Sequence, residues 1–371
     1  LPLEGSGLQQ AALPFPGRWI GETPAFSPLG FAAEMAERGV DTDLLVYLQR
    51  HAPVLSRHPG YAKFAAEVAK KLMVEERTDE AAAHLEVAIS RAPENQDLWA
   101  QLGEVQLQRG ETDAAERSFR RAIALDQNHA VANFQLGNLL NRRREFADAA
   151  TRYQRTIASR PDFADAHYQL AAALFQQGQR ADAVRHMERF VELRPDDIGA
   201  KVNLGGMLAA LSRFDDAARR LEDAIAAEPD NSMARNNLGR VLQDLGKDAE
   251  ALPHYEVAMR SPQSAMPAAM NLVRLLATSN DPDVRNPRRA VSVAQELAAQ
   301  TNENRADVLD VLAVALASAA RYEDAVDAGA KALRVARLRG DARLVAQMTG
   351  KLEQLERRAA EAREQKLTDP E

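Results

Sequence analysis

The sequence predicts an all-helical solenoid, built from short helix pairs that stack along the chain. Small residues recur every 34 positions from Ala81 to Ala251, and again from Ala69 to Gly239. Each period holds two apolar patterns of helical spacing, separated by a short turn such as the one at Gly110. The chain is 46% hydrophobic but only 5% aromatic, which favours close packing of helices over an aromatic-rich β core.

Composition and charge argue against several classes of protein. The chain has no Cys, so it cannot form disulfides or thiolate metal sites. A net charge of -7 disfavours a broad basic surface, and we predict no nucleic-acid partner. No apolar run approaches the roughly 18–20 residues that cross a bilayer, so we expect a soluble chain. Cytoplasm and periplasm stay open, because a chain that begins at Leu1 is expected to be processed or a fragment.

Residues 1–27 are predicted to be irregular, because they are rich in Pro and Gly and keep no helical or strand period. Two interpretations stay open. The segment is a linker or strap over the first helices, or it docks a partner through apolar side chains that are costly to leave in water. These side chains are Phe15, Trp19, Ile20 and Phe26.

Residues 28–61 are predicted to form an N-terminal helical cap or a degenerate repeat. Ser27 can cap a helix and Pro28 suits the first helical position, so a helix begins there and ends before Gly39. A second helix follows and is interrupted or ended near Pro53.

Six 34-residue units are predicted over residues 62–265, each with a first and a second helix. A small side chain lets two helices cross closely, and Pro ends the second helix and turns the chain into the next unit. The small residues are Ala69, Gly103, Gly137, Ala171, Gly205 and Gly239 in first helices and Ala81, Ala115, Ala149, Ala183, Ala217 and Ala251 in second helices. The closing prolines are Pro93, Pro161, Pro195 and Pro229.

This pattern resembles the tetratricopeptide repeat family. The residues that match the family pattern most fully are Trp99, Leu102 and Gly103 in one first helix and Ala115 and Phe119 in the helix after it. That unit departs from the pattern at Gln106, where the family has an aromatic residue. The resemblance implies a right-handed α-solenoid of about eight repeats, whose first helices line a concave groove that holds an extended peptide or a partner subunit.

A seventh and an eighth repeat are predicted after the regular array. The seventh covers 266–305 with about five inserted residues, because Ala290 follows Ala251 by 39 positions instead of 34. We expect the longer loop at 277–287 to be either ordinary surface variation or a binding loop. The eighth repeat covers 306–340.

Residues 341–371 are predicted to form a C-terminal capping helix and tail. Asp341 can cap the helix. One apolar stripe at helical spacing covers the last repeat, while the charged remainder faces water. A coiled-coil seam is the alternative, but the stripe spans only about two heptads. The stripe consists of Leu344, Met348, Leu352 and Leu355.

The sequence contains no catalytic or cofactor-binding motif. Glycine loops for phosphate and the signatures of zinc proteases and serine hydrolases do not occur. The seven His residues are scattered, so no metal site is predicted. Acidic residues lie at the starts of second helices, where they stabilise the helix dipole and need no catalytic explanation. We therefore predict a protein that is not an enzyme and binds no cofactor.

One column of residues bears on function. Six successive units carry a carboxamide just before the Leu of the first helix, and such a column can pair with the backbone of an extended peptide. It resembles the Asn ladder in the repeat domain of the O-linked N-acetylglucosamine transferase family. The alternative is that these amides are solvated or bridge to their neighbours. The column consists of Gln101, Gln135, Gln169, Asn203, Asn237 and Asn271.

Four more polar residues lie one turn further along the same helices. Arg240 and Arg274 are one repeat apart, and we predict that they grip a carboxylate or an acidic side chain. Ordinary ion pairing with Asp244 or a nearby acid is the alternative. The four residues are Asn138, Arg142, Arg240 and Arg274.

The predicted function is a non-enzymatic scaffold for protein–protein interaction that binds an extended peptide or partner subunit in its groove. Two alternatives stay open. The chain is the substrate-presenting portion of a larger enzyme, such as an O-linked glycosyltransferase, or it is a structural subunit of a multiprotein assembly. The charged terminal helix argues against open-ended stacking at that end.

Overall fold

The computed structural model describes residues 28–38, 47, 50–51, 54–55, 58 and 60–368. These residues form 18 helices and no strand, so the all-helical prediction is confirmed. Backbone contacts divide the chain into two compact units, residues 1–173 and 174–371. None of the helices in the described part is long and apolar enough to span a membrane.

The described part of the first unit contains seven helices and most of an eighth. Three pairs of consecutive helices pack together, α2 with α3, α4 with α5 and α6 with α7, and the first helices α2, α4 and α6 also contact their neighbours in this series. The helices are α1 (Pro28–Arg38), α2 (Tyr61–Val74), α3 (Thr78–Arg91), α4 (Gln96–Gln108), α5 (Thr112–Leu125), α6 (Ala130–Arg142), α7 (Phe146–Ser159) and α8 (Ala164–Gln176), whose last three residues belong to the second unit.

The second unit continues the alternation of first and second helices. Its first helices α10, α12, α14 and α16 contact their neighbours in the series, and each packs on the second helix that follows it. The helices are α9 (Arg180–Leu193), α10 (Ile198–Ala209), α11 (Phe214–Ala227), α12 (Ser232–Asp244), α13 (Asp248–Ala258), α14 (Ala265–Thr278), α15 (Pro287–Gln300), α16 (Ala306–Ser318), α17 (Tyr322–Leu338) and α18 (Ala342–Thr368).

The N-terminal helix has the predicted bounds. α1 begins at Pro28 and ends at Arg38, and it packs on α2 through the buried residues Ala32 and Ala36. The ammonium group of Lys71 on α2 donates a hydrogen bond to the carbonyl oxygen of Ala36. The prediction for residues 1–27 lies outside the described residues; near Pro53 the described residues 47, 50–51 and 54–55 are helical, and Pro53 itself lies outside them.

Polar side chains define where several first helices begin. The Oδ1 atom of Asn95 accepts a hydrogen bond from the Asp97 amide at 3.0 Å. Asp197 and Asn231 cap α10 and α12 in the same way, at 2.8 and 2.9 Å from the amides they accept. Such caps satisfy amide groups that have no partner inside the helix. They fix the start of each first helix and therefore the register of its buried face.

Small residues let the two helices of a pair cross closely, as predicted. A Cβ atom added to Gly137 would lie 2.7 Å from Cε1 of Tyr153, a separation that real Cβ atoms essentially never show. Three other first-helix glycines meet a large second-helix side chain in the same way. The pairs are Gly103 with Phe119, Gly205 with Leu221 and Gly239 with Tyr255. These large side chains are themselves fully buried, so the crossing forms the core of each pair.

The turns inside the pairs share a backbone geometry that recurs with the repeat. One residue of each turn has a positive φ, between 59° and 79°, and the next amide donates back to a carbonyl five residues earlier. This is the left-handed helix end that glycine favours. The residues are Glu76, Gly110, Arg144, Gly178, Ser212 and Gly246.

The predicted loop at 277–287 is too long. α14 continues to Thr278 and α15 begins at Pro287, so only 279–286 lie outside helices. The physical reason is local: the side chain of Asn286 caps α15 by accepting from the Arg289 amide at 3.0 Å. The loop is also held to the array, because Val284 is buried and Ser279 donates to Asp248 on α13.

The C-terminal helix packs as predicted. The Asp341 carboxylate caps α18 by accepting from the Leu344 amide at 3.0 Å. Met348 is buried in a cluster with residues of α16 and α17, and Leu344 and Leu352 pack against that cluster. Lys351 adds an ion pair to Asp310 on α16, with 2.6 Å between Nζ and Oδ2. The stripe therefore covers the last helix pair.

Candidate functional site

All six amides of the predicted column lie on first helices and are half-buried. Three belong to the first unit and three to the second. The four polar residues one turn along lie on α6, α12 and α14, and their arginine side chains are exposed. In each unit we call the surface formed by these residues the first-helix face.

In the first unit, two of the predicted residues bridge to neighbours. The Tyr153 hydroxyl donates to Oδ1 of Asn138 at 2.9 Å, and Nδ2 of Asn138 donates to Oε1 of Gln135 at 3.2 Å. Gln135 also hydrogen-bonds to Glu104 on the preceding first helix. Gln135 and Asn138 therefore follow the alternative in which the amides bridge to their neighbours. Their side chains connect α4, α6 and α7.

Glu104 is a polar residue of this face that sequence reasoning missed. It lies one turn after Gln101 on α4, a spacing that would have revealed it. Burial raises the pKa of its carboxyl group, and the hydrogen bond with Gln135 and the charges of His129 and Lys70 oppose that rise. Among the described residues of the first-helix face, Glu104 is the acidic residue whose pKa is raised.

Gln101 holds an unsatisfied acceptor. Its Oε1 atom is fully buried and has no hydrogen-bond partner among the described residues. A buried carbonyl oxygen without a donor costs about 1–3 kcal/mol, so a donor supplied by a ligand would recover that energy. The rest of the side chain is half-buried, so a ligand would reach this oxygen only if the Gln101 side chain rotated.

In the second unit, amides lie between neighbouring first helices. Nδ2 of Asn271 donates to Oδ1 of Asn236 at 3.0 Å, which links α14 to α12. Nδ2 of Asn237 points towards α10, 4.0 Å from where a Cβ atom on Gly206 would stand. Asn236 precedes the predicted column by one residue and was not predicted. Asn203 is half-buried on α10.

Arg240 and Arg274 are exposed and lie on the neighbouring helices α12 and α14. Neither forms an ion pair within the part of the chain that the structure describes, so the alternative pairing of Arg240 with Asp244 is absent there. Both act on one group. Burial raises the pKa of the Tyr255 hydroxyl; the charges of both arginines oppose that rise, and the charges of Asp244 and Asp248 add to it.

Two predicted residues of the first unit have simpler surroundings. Arg142 is exposed at the end of α6, and its charge opposes the rise that burial causes in the pKa of Tyr153. Gln169 is half-buried on α8. The structure thus joins Gln135 with Asn138 in the first unit, and it places Arg240 and Arg274 around Tyr255 in the second.

Comparison with known proteins identifies the repeat. Models described as tetratricopeptide repeat match residues 72–136, 134–198 and 204–265, just over half of the chain. No curated protein sequence matches the chain. The matches agree with the 34-residue period and with the helix pairs described above.

Several solved structures are similar in fold. YrrB, described as a TPR protein with an unusual peptide-binding site, is 22% identical with a TM-score of 0.49, covering 51% of this chain and 97% of its own. MamA is 21% identical with a TM-score of 0.42, covering 44% of this chain and 90% of its own. PilF of Pseudomonas aeruginosa is 16% identical with a TM-score of 0.45, covering 54% and 91%.

Arrays of this repeat generally serve as non-catalytic scaffolds that bind protein partners. The helix pairs, their glycine crossings and the matched repeat models lead to one conclusion. The chain belongs to the tetratricopeptide repeat family and is a scaffold for protein interaction.

Proposed function

We propose that the chain holds an extended peptide segment of a partner protein on the first-helix face of its second unit, where Arg240 and Arg274 bind a carboxylate of that segment. The observation that carries this proposal is the pair of exposed arginines, one repeat apart, without acidic partners among the described residues. Guanidinium groups bind carboxylates through two parallel hydrogen bonds, which gives both affinity and orientation.

The positions of the two arginines support a shared ligand. Packed helices lie roughly 8–10 Å apart, a distance that two long arginine side chains can bridge from either side. Both charges also act on the hydroxyl group of Tyr255, which donates to the side chain of Gln243. The two guanidinium groups therefore act on the same region of the face, where the charges of Asp244 and Asp248 act as well.

The amides supply the contacts that do not depend on the peptide sequence. A carboxamide offers donors and an acceptor, which match the carbonyl and amide groups of an extended backbone. Asn271 uses one amide hydrogen towards Asn236, and its carbonyl oxygen has no hydrogen-bond partner among the described residues. We assign Asn203, Asn237 and Asn271 to the peptide backbone.

The first unit offers a weaker version of the same surface. Its amides Gln135 and Asn138 are tied to neighbours, which reduces their capacity for a ligand. Gln101 is the exception, since its buried oxygen needs a donor that a peptide amide can supply. We assign Gln101, Gln169 and Arg142 to a separate binding surface within the first unit.

The test requires a peptide selected on the immobilised chain from a random library with free C-termini. The selected peptide is then synthesised again with each of its carboxylates replaced by an amide. We expect the carboxylate form to bind at least about tenfold more tightly in fluorescence anisotropy, because a charge-assisted hydrogen bond contributes roughly 1.5–3 kcal/mol. Equal affinities of the two peptides would contradict the arginine assignment.

The amide assignment is tested with the combined change Asn203→Ala, Asn237→Ala and Asn271→Ala. We expect weaker binding of the same peptide with an unchanged circular dichroism spectrum, because buried apolar residues hold the helices together and the lost Asn271–Asn236 hydrogen bond contributes only about 0.5–1.5 kcal/mol. Gln295→Ala is the matched control, since Gln295 is exposed on the second helix α15. If the triple variant binds the peptide as tightly as the parent chain does, the amide assignment is contradicted.

A further inference from the structure

A basic cleft lies on the second helices of the first unit, apart from the residues of the first-helix face. It has a volume of about 350 Å³ and lies between the second half of α5, α6 and the middle of α7. Its basic residues come from both second helices, and its apolar floor comes from α5 and α6. These residues are Arg120, Arg152 and Arg155, with Ile123, Ala124 and Leu136 as the floor. We call this site the second-helix cleft.

The positive charge of the cleft is not balanced by acids within the described residues. Arg120 is paired with Glu116 at 2.7 Å, but the same carboxylate also binds Arg143 at 2.8 Å. Arg155 is half-buried and has no ion pair or hydrogen bond through its side chain in the described part of the chain. The Glu116 carboxylate is therefore shared between two arginines, only one of which lines the cleft.

Arg152 lies in a strongly positive environment. Its guanidinium group donates one long hydrogen bond, 3.4 Å to Oδ1 of Asn133, which is a neutral acceptor. Burial lowers the pKa of Arg152, the charges of Arg155 and Arg120 lower it further, and Asp148 opposes them only in part. Arg152 is thus repelled by two other guanidinium groups beside an apolar floor. Such an arrangement costs stability in the free chain and becomes favourable when an anion enters.

We propose that the second-helix cleft binds an acidic segment of a partner protein, with a carboxylate side chain held between Arg152 and Arg155. Charge complementarity identifies this ligand, because planar guanidinium groups match the geometry of a carboxylate. The apolar floor identifies the neighbouring residue of the segment as hydrophobic, packed on Ile123 and Ala124. The cleft would let the scaffold hold a second segment independently of the first-helix face.

The probe is a fluorescein-labelled 12-residue peptide of alternating Glu and Leu, compared with a peptide in which Gln replaces every Glu. Both are titrated at 0.15 M salt into a chain that carries Arg240→Gln and Arg274→Gln, so that binding at the first-helix face does not contribute. We expect the Glu peptide to bind at least about tenfold more tightly than the Gln peptide. Equal binding of the two peptides would overturn the proposal.

Variants then locate the binding. Arg155→Gln should weaken binding of the Glu peptide about tenfold, and Arg155→Lys, which keeps the charge, should recover part of the loss. The matched control is Arg117→Gln, an exposed arginine on α5 outside the cleft. An equal loss in Arg117→Gln would assign binding to general surface charge and overturn the proposal.

A stability measurement separates binding from misfolding. Because Arg155 and Arg152 repel each other, Arg155→Gln should raise the melting temperature of the free chain while it lowers the affinity for the Glu peptide. A lower melting temperature would show that Arg155 supports the fold and would contradict the proposed repulsion. Inorganic phosphate is titrated in parallel. If phosphate raises the melting temperature of the chain and the Glu peptide does not, the ligand is a phosphate group and the peptide assignment fails.

Discussion

Single glycine residues decide how closely the helices of a pair approach. The sequence predicts that a small residue is required at these positions, because the 34-residue period keeps Gly or Ala there. It does not identify the side chain that fills the space. In the structure that side chain is Tyr153 opposite Gly137 and Tyr255 opposite Gly239, and each ring is fully buried.

Gly137→Ala should destabilise the chain, because its new Cβ atom would lie 2.7 Å from the ring of a buried tyrosine. We expect the free energy of unfolding to fall by about 1–3 kcal/mol in a urea titration, as for other overpacked cores. Gly350→Ala is the matched control on α18, where no atom lies within 4 Å of the added Cβ. It should raise stability by roughly 0.5–1 kcal/mol. Losses of equal size in both variants would contradict the glycine crossing.

Glu104 should make stability depend on pH. Its folded-state pKa is raised above the unfolded value, so the stability associated with its neutral form is present at pH values below the unfolded pKa and is lost as pH rises through the folded pKa. Glu104→Gln stays neutral and should therefore stabilise the chain at pH 7 but not at pH 3.5. Thermal melting at the two pH values measures this difference, and a gain that is the same at both would be evidence against a buried carboxylate.

Among the elements, helix starts were easier to predict than loop lengths. The positions of helices follow from the spacing of apolar residues and from capping residues. α1 and α18 begin where the sequence predicts. The loop before α15 was predicted too long, because Ala277, Thr278 and Pro287, which belong to helices, were assigned to the loop. Asn286 is a side-chain cap and Pro287 occupies the first helical position, two local signals that favour an earlier helix start.

The partners of the amide column could not be predicted from the sequence. A carboxamide can face solvent, a ligand or a neighbouring helix, and the choice depends on packing between repeats. Asn271 meets Asn236 and Gln135 meets Asn138 because the helices that carry them are neighbours in space. The sequence therefore predicts which residues lie on the first-helix face, and only the three-dimensional structure says which of them are already bridged.

The terminal helix α18 depends on one buried charge. Only 9% of the Asp310 side chain is exposed, and Lys351 is its ion-pair partner at 2.6 Å. Lys351→Met should lower the free energy of unfolding by about 1–3 kcal/mol, because it leaves a buried carboxylate unpaired. Arg363→Met is the control, since its pair with Glu323 is exposed to solvent and screened, and the change should leave stability almost unaltered. Urea titrations compare the two, and similar small effects would contradict a structural role for the Lys351 pair.

For the whole molecule, stability and binding come from different parts of each repeat. Packing between small and large residues holds the pairs together, and stacking of neighbours replaces a single large core. The chain carries a net charge of -7, yet both proposed sites are lined by arginine. Local positive regions on an acidic chain attract acidic segments at short range, because salt screens the repulsion from the net charge beyond about 8 Å. This predicts selection of partners by short acidic segments.

The most direct measurement is a calorimetric titration of the selected carboxylate peptide into three forms of the chain. These are the parent chain, the double variant Arg240→Gln with Arg274→Gln, and the control Arg260→Gln, whose arginine is exposed beyond the end of α13. Binding through the arginine pair predicts that the double variant weakens affinity by about 10–100-fold while the control binds like the parent chain. An affinity of the double variant equal to that of the parent would contradict the claim that the first-helix face binds a carboxylate.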